Sequence, residues 1–308
     1  MTKLNKVTIA IFIMIAGITS SCSLIEPIKK IFDEAKLVKD ADKEAEQGNL
    51  DKAIELYTEA LKDNESNPEI YNKRSSVYLK KKEYELALSD INKAIEIKPK
   101  VANFYITRSA IYSNSGKYDK AIIESSIAIG LNPKLATAYN NRGYSYTQKE
   151  RFDEAEKDLN RAIELNPNYA LAYSNRGNLF SKLENWEKAM SDINKAIELA
   201  PNVATFYMNK GLVYFGQQDY VSALKEFENA IERDSNNANF YFNRGLAFLN
   251  LNEFVKSIDD FTFAIKLYPN YRKAYVNRAK AFEKLGKKEN AKADSDKVKE
   301  LEKNTITQ

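Results

Sequence analysis

Residues 136–169 read ATAYNNRGYSYTQKERFDEAEKDLNRAIELNPNY, and residues 170–203 read ALAYSNRGNLFSKLENWEKAMSDINKAIELAPNV. The two lines align without a gap, with Tyr139 over Tyr173, Arg142 over Arg176, Gly143 over Gly177, Ala155 over Ala189, Asp158 over Asp192 and Pro167 over Pro201. The same 34-residue register continues outward in both directions, in segments starting at Glu34, Pro68, Ala102, Ala136, Ala170, Ala204, Ala238 and Arg272. The fourth position reads Leu37, Tyr71, Tyr105, Tyr139, Tyr173, Tyr207, Tyr241, Tyr275, and the twentieth reads Ala53, Ala87, Ala121, Ala155, Ala189, Ala223, Ser257, Ala291. A fixed period of this length predicts a stack of small similar units in place of one globular core.

Inside one unit, Tyr139, Gly143 and Tyr146 fall at i, i+4, i+7, and Ala155, Leu159, Ala162 and Ile163 at i, i+4, i+7, i+8. These are two amphipathic helices with one apolar stripe each. Gly143 and Ala155 are small where the helices approach closely, and Tyr139, Tyr146 and Leu159 fill the surrounding space. Gly48, Gly116 and Gly286 share a register suited to a left-handed helix end. Asp51, Asp119 and Asp153 share another, suited to an N-cap, preceded by the stapling residues Leu50, Tyr84, Tyr118, Phe152, Trp186, Tyr220 and Phe254. Pro99, Pro133, Pro167, Pro201 and Pro269 close the second helix, which proline cannot continue.

This order of aromatic, small, aromatic, small, large, small and proline positions resembles the tetratricopeptide repeat family, over residues 34–305. The resemblance implies an all-α, right-handed solenoid of helix pairs, about eight of them, with first helices on the concave face and second helices on the convex one. The ends depart from the pattern: the first repeat has Leu37, Ala41 and Glu44, and the last has Lys288 and Ser295, polar as a capping unit requires.

Composition narrows the function. Lys and Arg number 47 against 43 Asp and Glu, with signs interspersed, which suits a solvated helical surface better than the one-sided basic stripe of a nucleic-acid binder. With no histidine and a single cysteine, Cys22, the chain has no Ser–His or Cys–His pair, disulfide framework or thiolate metal cluster. The expectation is a non-catalytic protein without cofactor, metal or small-molecule substrate.

Lys3 and Lys6 precede an almost wholly apolar run, Val7–Ile18, followed by Thr19, Ser20, Ser21 and Cys22. Residues 1–21 therefore look like a signal peptide of the bacterial lipoprotein type, which is cut before a cysteine that is then acylated. Thr19 departs from the aliphatic residue usual three positions before that cysteine. An uncleaved anchor and plain secretion are the alternatives. Each reading exports the repeats, and the first anchors them to a bacterial membrane through Cys22, with residues 22–33 as tether and 306–308 as a short tail.

Polar registers carry the remaining signal. Arg74, Arg108, Arg142, Arg176, Lys210, Arg244 and Arg278 stand sixteen residues before Asp90, Glu124, Asp158, Asp192, Glu226, Asp260 and Asp294. A ligand-binding ladder is one reading. Their co-occurrence favours a structural bridge, as between Arg142 and Asp158 or Arg176 and Asp192. Asn141, Asn175, Asn209, Asn243 and Asn277 form a second ladder. It resembles the peptide-gripping asparagines of the O-GlcNAc transferase superhelix, since an amide can pair with any peptide backbone. The competing reading is inter-helix packing. Towards the C-terminus the implied groove turns apolar, at Met208, Leu212, Phe215, Phe242, Leu246 and Leu249, where earlier repeats show Asn140, Tyr144, Ser174, Asn178 and Ser181. A partner's side chains or a covering segment would each explain it. The lysine and asparagine pattern of chaperone-tail-binding relatives is absent. The expected function is a cell-envelope scaffold that binds a protein or extended peptide; the alternative is a docking subunit for an envelope-assembly or glycan-processing complex.

Overall fold

The computed structural model describes residues 22–306, with side chains for residues 31–62 and 64–303. The leader and the side chain of Cys22 lie outside the described residues. Sixteen helices and no strand occur among the described residues. The first helices of the repeats are α1 (Cys22–Glu46), α3 (Pro68–Lys80), α5 (Ala102–Asn114), α7 (Ala136–Gln148), α9 (Ala170–Lys182), α11 (Ala204–Gly216), α13 (Ala238–Asn250) and α15 (Arg272–Lys284). The second helices are α2 (Leu50–Asp63), α4 (Tyr84–Ile97), α6 (Tyr118–Leu131), α8 (Phe152–Leu165), α10 (Trp186–Leu199), α12 (Tyr220–Arg233), α14 (Phe254–Leu267) and α16 (Lys288–Ile306). From α3 onward each first helix starts at its expected residue. The exception is α1, which runs without a break from Cys22 through the segment expected to be a tether, because nothing resembling a turn interrupts residues 28–46.

The chain forms two compact units, Met1–Ser145 and Tyr146–Gln308. In both, consecutive helices pack, and first helices of neighbouring repeats also touch: α3 with α5, and α9 with α11, α11 with α13, α13 with α15. No comparable contact joins neighbouring second helices among the described residues. First helices therefore crowd on the inner side of each stack, and second helices fan out on the outer side.

Every turn inside a repeat follows one design. The middle residue is left-handed at all eight: Gly48, Gly116 and Gly286 have φ of 85, 75 and 71°, and Lys82, Glu150, Glu184, Gln218 and Asn252 lie between 55 and 64°. The next N–H donates back to the carbonyl five residues earlier, as in Glu83 to Tyr78 (2.9 Å) and Asn185 to Phe180 (2.9 Å), which satisfies a carbonyl at the helix end. Asp51, Asp119 and Asp153 are not N-caps. The caps are Asn49, Lys117 and Arg151, whose side chains make no capping bond, and the aspartates sit inside the first turn, where their charge meets the positive helix end. The large apolar residue before each aspartate, Leu50, Tyr118 or Phe152, is accordingly the first helical residue. Trp186 still pins two elements: its ring lies where a side chain at Gly216 would stand, 2.5 Å from an added Cβ.

The cores lie inside and between repeats. Ala53, Ala87, Ala121, Ala155, Ala189, Ala223 and Ser257 are wholly buried. Small first-helix residues match large second-helix ones. An added Cβ at Gly177 would meet Ile193 at 2.6 Å, at Gly211 Phe227 at 2.5 Å, and at Gly245 Phe261 at 2.9 Å. Where the second helix instead carries Ser125, the first carries Ser109, and the two hydroxyls share a hydrogen bond of 2.7 Å.

Candidate interaction face

The arginine register is occupied internally. Arg176 Nε and Nη2 donate to the two oxygens of Asp192 at 2.7 and 2.8 Å; Arg74 does so to Asp90, Arg244 to Asp260 and Arg278 to Asp294 at 2.7–2.8 Å. Arg108 reaches Glu124 with a single 2.8 Å bond. These acids are buried. Planar forks on both partners make the pairing bidentate, and the bonds to Asp192 hold the Arg176 guanidinium above its ordinary pKa. The remaining Nη1 reaches back to the second helix of the preceding repeat: Arg74 to Thr58 (2.8 Å), Arg108 to Asn92 (2.9 Å), Arg142 to Ser126 (3.0 Å), Arg176 to Asn160 (2.7 Å), Arg278 to Thr262 (2.9 Å). One residue thus joins three helices. The tyrosine three positions earlier adds its ring face 5.4–5.8 Å from the guanidinium carbon. Lys210, the exception, reaches Glu226 at 3.0 Å as a point charge. Arg142 belongs to the first unit and Asp158 to the second.

The first repeat lacks this bridge and builds another. Asp42 accepts from Lys73 Nζ (2.6 and 2.7 Å) and from the Tyr57 hydroxyl (2.5 Å), while Glu34 accepts from Asn64 and Asn67 (3.0 and 2.7 Å). Sequence reasoning missed both. A signal was available: where the arginine and its acid vanish together, other charges must join the helices.

The asparagine ladder is heterogeneous. Asn209 is buried and donates to Ser174 Oγ at 2.9 Å, and Thr107, in the same register, donates to Asn72 Oδ1 at 2.8 Å. Each reaches the residue 35 positions back when that residue is polar. Asn175 is also buried. Asn141, Asn243 and Asn277 are half-buried. Asn141 accepts from Asn140 at 3.3 Å, and Asn277 donates to the Lys273 carbonyl at 2.8 Å. At 35 positions before Asn243 and Asn277 stand Met208 and Phe242, which offer no oxygen.

The apolar positions divide as well. Phe242 is buried, its ring 4.9 Å from that of Tyr271 and 5.8 Å from that of Phe261. Met208 and Phe215 pack on the core around Phe227, and Leu246 and Leu249 on the core around Phe261. Leu212 stands out at 37 % exposed. Much of this stretch therefore fills gaps between repeats, and a narrower strip stays accessible. Of the polar counterparts, Asn140 and Ser174 are buried, and Asn178 is half-buried. Among the described residues no group of acids or cysteines is placed to hold a metal ion, and no helix is long and apolar enough to cross a membrane.

Comparison with known proteins agrees with this geometry. Tetratricopeptide repeat profiles match residues 136–169, 170–203 and 238–271, then 41–82 and 211–252, then 68–101 and 273–305. A stretch of 73 residues is 37 % identical to protein unc-45 homolog B of Danio rerio, covering 22 % of this chain and 8 % of that protein. Among solved structures, the APC/C hetero-tetramer Cut9–Hcn1 superposes with a TM-score of 0.70 at 19 % identity over 87 % of this chain and 53 % of that one. A tetratricopeptide repeat protein of Parabacteroides merdae gives 0.65 at 20 % identity, over 81 % of this chain and 99 % of its own. Yeast Tom70 gives 0.60 at 20 %, over 82 % and 56 %. The chain thus spans about half of the Cut9–Hcn1 chain and a small fraction of the unc-45 homolog.

Proposed function

We propose that this chain, which belongs to the tetratricopeptide repeat family, is an exported, lipid-anchored scaffold of the bacterial cell envelope, holding a protein or extended peptide on the face of its first helices without chemistry of its own. Proteins of this family act as protein-interaction scaffolds. One observation carries the reading to this chain. Its recurring arginines and their acids are spent inside the stack, whereas a first-helix register on the crowded side varies along the chain: Tyr144, Asn178, Leu212, Leu246, Lys280. A position that only supports the fold repeats; one that meets a partner's side chains varies. Asn243, which has no side-chain partner among the described residues, adds a backbone-pairing amide beside this register.

Site-specific photocrosslinkers in native membranes test it. Leu212 and Asn243 should give adducts with a polypeptide, and Val221 and Val255, exposed on second helices, should not. Adducts of equal yield on both faces, or on neither, refute groove binding. The anchor is tested separately, by fatty-acid incorporation into the wild-type chain and its loss in Cys22→Ala; an unlabelled wild type ends the lipoprotein reading.

A further inference from the structure

Helix α1 has 25 residues where α3 has 13. Its C-terminal part does the work of a first helix: Leu37, Val38, Ala41 and Ala45 join the core around Tyr57. Residues 22–33 precede that part, and there Ile31 is 66 % and Phe32 47 % exposed. At roughly 100° per residue, Leu24, Ile25, Ile28, Ile31 and Phe32 share an arc of about 120°, with Glu26, Lys29, Lys30 and Asp33 on the remaining side. That arc is centred roughly 130° around the helix from the stripe of Leu37, Val38, Ala41 and Ala45. The exposed Ile31 and Phe32 therefore lie on a different side of α1 from the stripe that joins the repeat core.

What covers that side follows from where the helix begins. Cys22 comes directly after Val7–Ile18 and three small residues. An acylated Cys22 and a retained apolar leader both put the start of α1 at a lipid surface, and Phe32 is only about 15 Å further along the axis. We propose that residues 22–33 lie on the bilayer, sinking Leu24, Ile25, Ile28, Ile31 and Phe32 among the acyl chains and holding the first repeat close to the membrane. The proposal rests on the exported, membrane-attached reading above. Lys29 and Lys36 flank one edge of the apolar arc, where their stems can run along it with the ammonium in water. Three acids and three lysines balance over residues 23–36, so attachment is driven by apolar burial and responds little to salt.

The full chain in vesicles of phosphatidylethanolamine and phosphatidylglycerol tests this, using Ile28→Cys, Ile31→Cys, Phe32→Cys, Lys30→Cys and Asp33→Cys labelled with an environment-sensitive NBD dye, and the wild-type chain as background for Cys22. Labels at 28, 31 and 32 should shift to the blue, brighten and be quenched by nitroxides on lipid chains, in high salt as in low, while labels at 30 and 33 stay water-like. Labels at 31 and 32 as wet as the one at 33 overturn the proposal. So does equal protection without lipid that vanishes on dilution, which would identify a second copy as the cover. Fatty-acid labelling of the same preparation separates the two claims. An acylated Cys22 with wet labels at 31 and 32 sinks the surface helix alone; dry labels without acylation sink the lipoprotein reading alone.

Discussion

Gly211→Ala adds one methyl group at a close contact between two helices of a repeat. Its carbon would stand 2.5, 2.7 and 3.2 Å from three ring atoms of Phe227, and that ring is wholly buried, with no solvent side to swing towards. Overpacking a filled core costs about 1–3 kcal/mol, and two contacts below 3 Å place this site in the upper part of the range. Replacing glycine by alanine inside a helix returns about 1 kcal/mol. The net expectation is a loss of about 1–2 kcal/mol. Phe227→Ile replaces the ring by a smaller side chain; an isoleucine in this register still crowds an added Cβ, at 2.6 Å between Gly177 and Ile193, but in the second repeat Ser75 and Ile91 fill the same two registers together, both wholly buried, with Ser75 donating to the Ala87 carbonyl. The pair should therefore couple: Gly211→Ala with Phe227→Ile should lose less than the sum of the singles, by about 1 kcal/mol or more. Urea unfolding of the four chains followed by circular dichroism measures this, with denaturant slopes compared because repeat arrays depart from two-state behaviour. Hydrogen exchange should localise the weakening to α11 and α12. A Gly211→Ala protein as stable as the parent, or singles that simply add, would show that the glycine reflects helix register alone and not close approach.

Three more expectations are accessible to the same methods. Lys82→Gly and Glu184→Gly relieve a left-handed residue that bears a side chain, so each should raise the free energy of unfolding by up to about 1 kcal/mol after glycine's extra chain entropy is subtracted, and the midpoint with it; an unchanged midpoint contradicts the strain argument. Arg176→Met leaves the buried Asp192 carboxylate unpaired and should cost about 3–5 kcal/mol, whereas Arg176→Lys should cost less, since Lys210 already serves Glu226 in that way; equal losses would mean that charge pairing is irrelevant there. Burial pushes the Tyr271 hydroxyl up to about 12. The fold favours its neutral form, so its contribution to stability is complete below the free-tyrosine value near 10 and lost as pH rises through about 12. The difference in phenolate absorbance between the parent and Tyr271→Phe should appear at that high end, and a difference already complete at pH about 10 would refute it.

Helix starts from residue 68 onward, the small residues at close approaches and the role of proline were all legible in the sequence, because each is imposed identically in every repeat and a period exposes it. Features that break the period were harder to read. The left-handed turn was visible at Gly48, Gly116 and Gly286 and hidden at Lys82 and Glu150, since backbone geometry imposed by a recurring six-residue hydrogen-bonded turn overrides residue preference. The aspartates at 51, 119 and 153 pointed two residues off as caps, because a carboxylate favours both the cap and the first turn. The arginine register pointed to the acid sixteen residues on; the Arg176 guanidinium also reaches the repeat before it, because it has donors for both. The asparagine ladder looked uniform, yet Asn209 and Asn243 differ because the residue 35 positions earlier is a serine in one case and a methionine in the other.

The backward reach of the arginines gives the stack a direction. Arg74, Arg108, Arg142, Arg176 and Arg278 each send a donor to the repeat before their own. A chain emerging from the ribosome N-terminus first offers every new arginine a predecessor already in place, while the opening repeat, closed by Asp42, Lys73 and Glu34, asks for none. Truncation after any complete repeat removes the arginine together with its acid and leaves the remaining forks whole. Deletion from the front strands one. The molecule is accordingly suited to assemble, and to be shortened, from opposite ends.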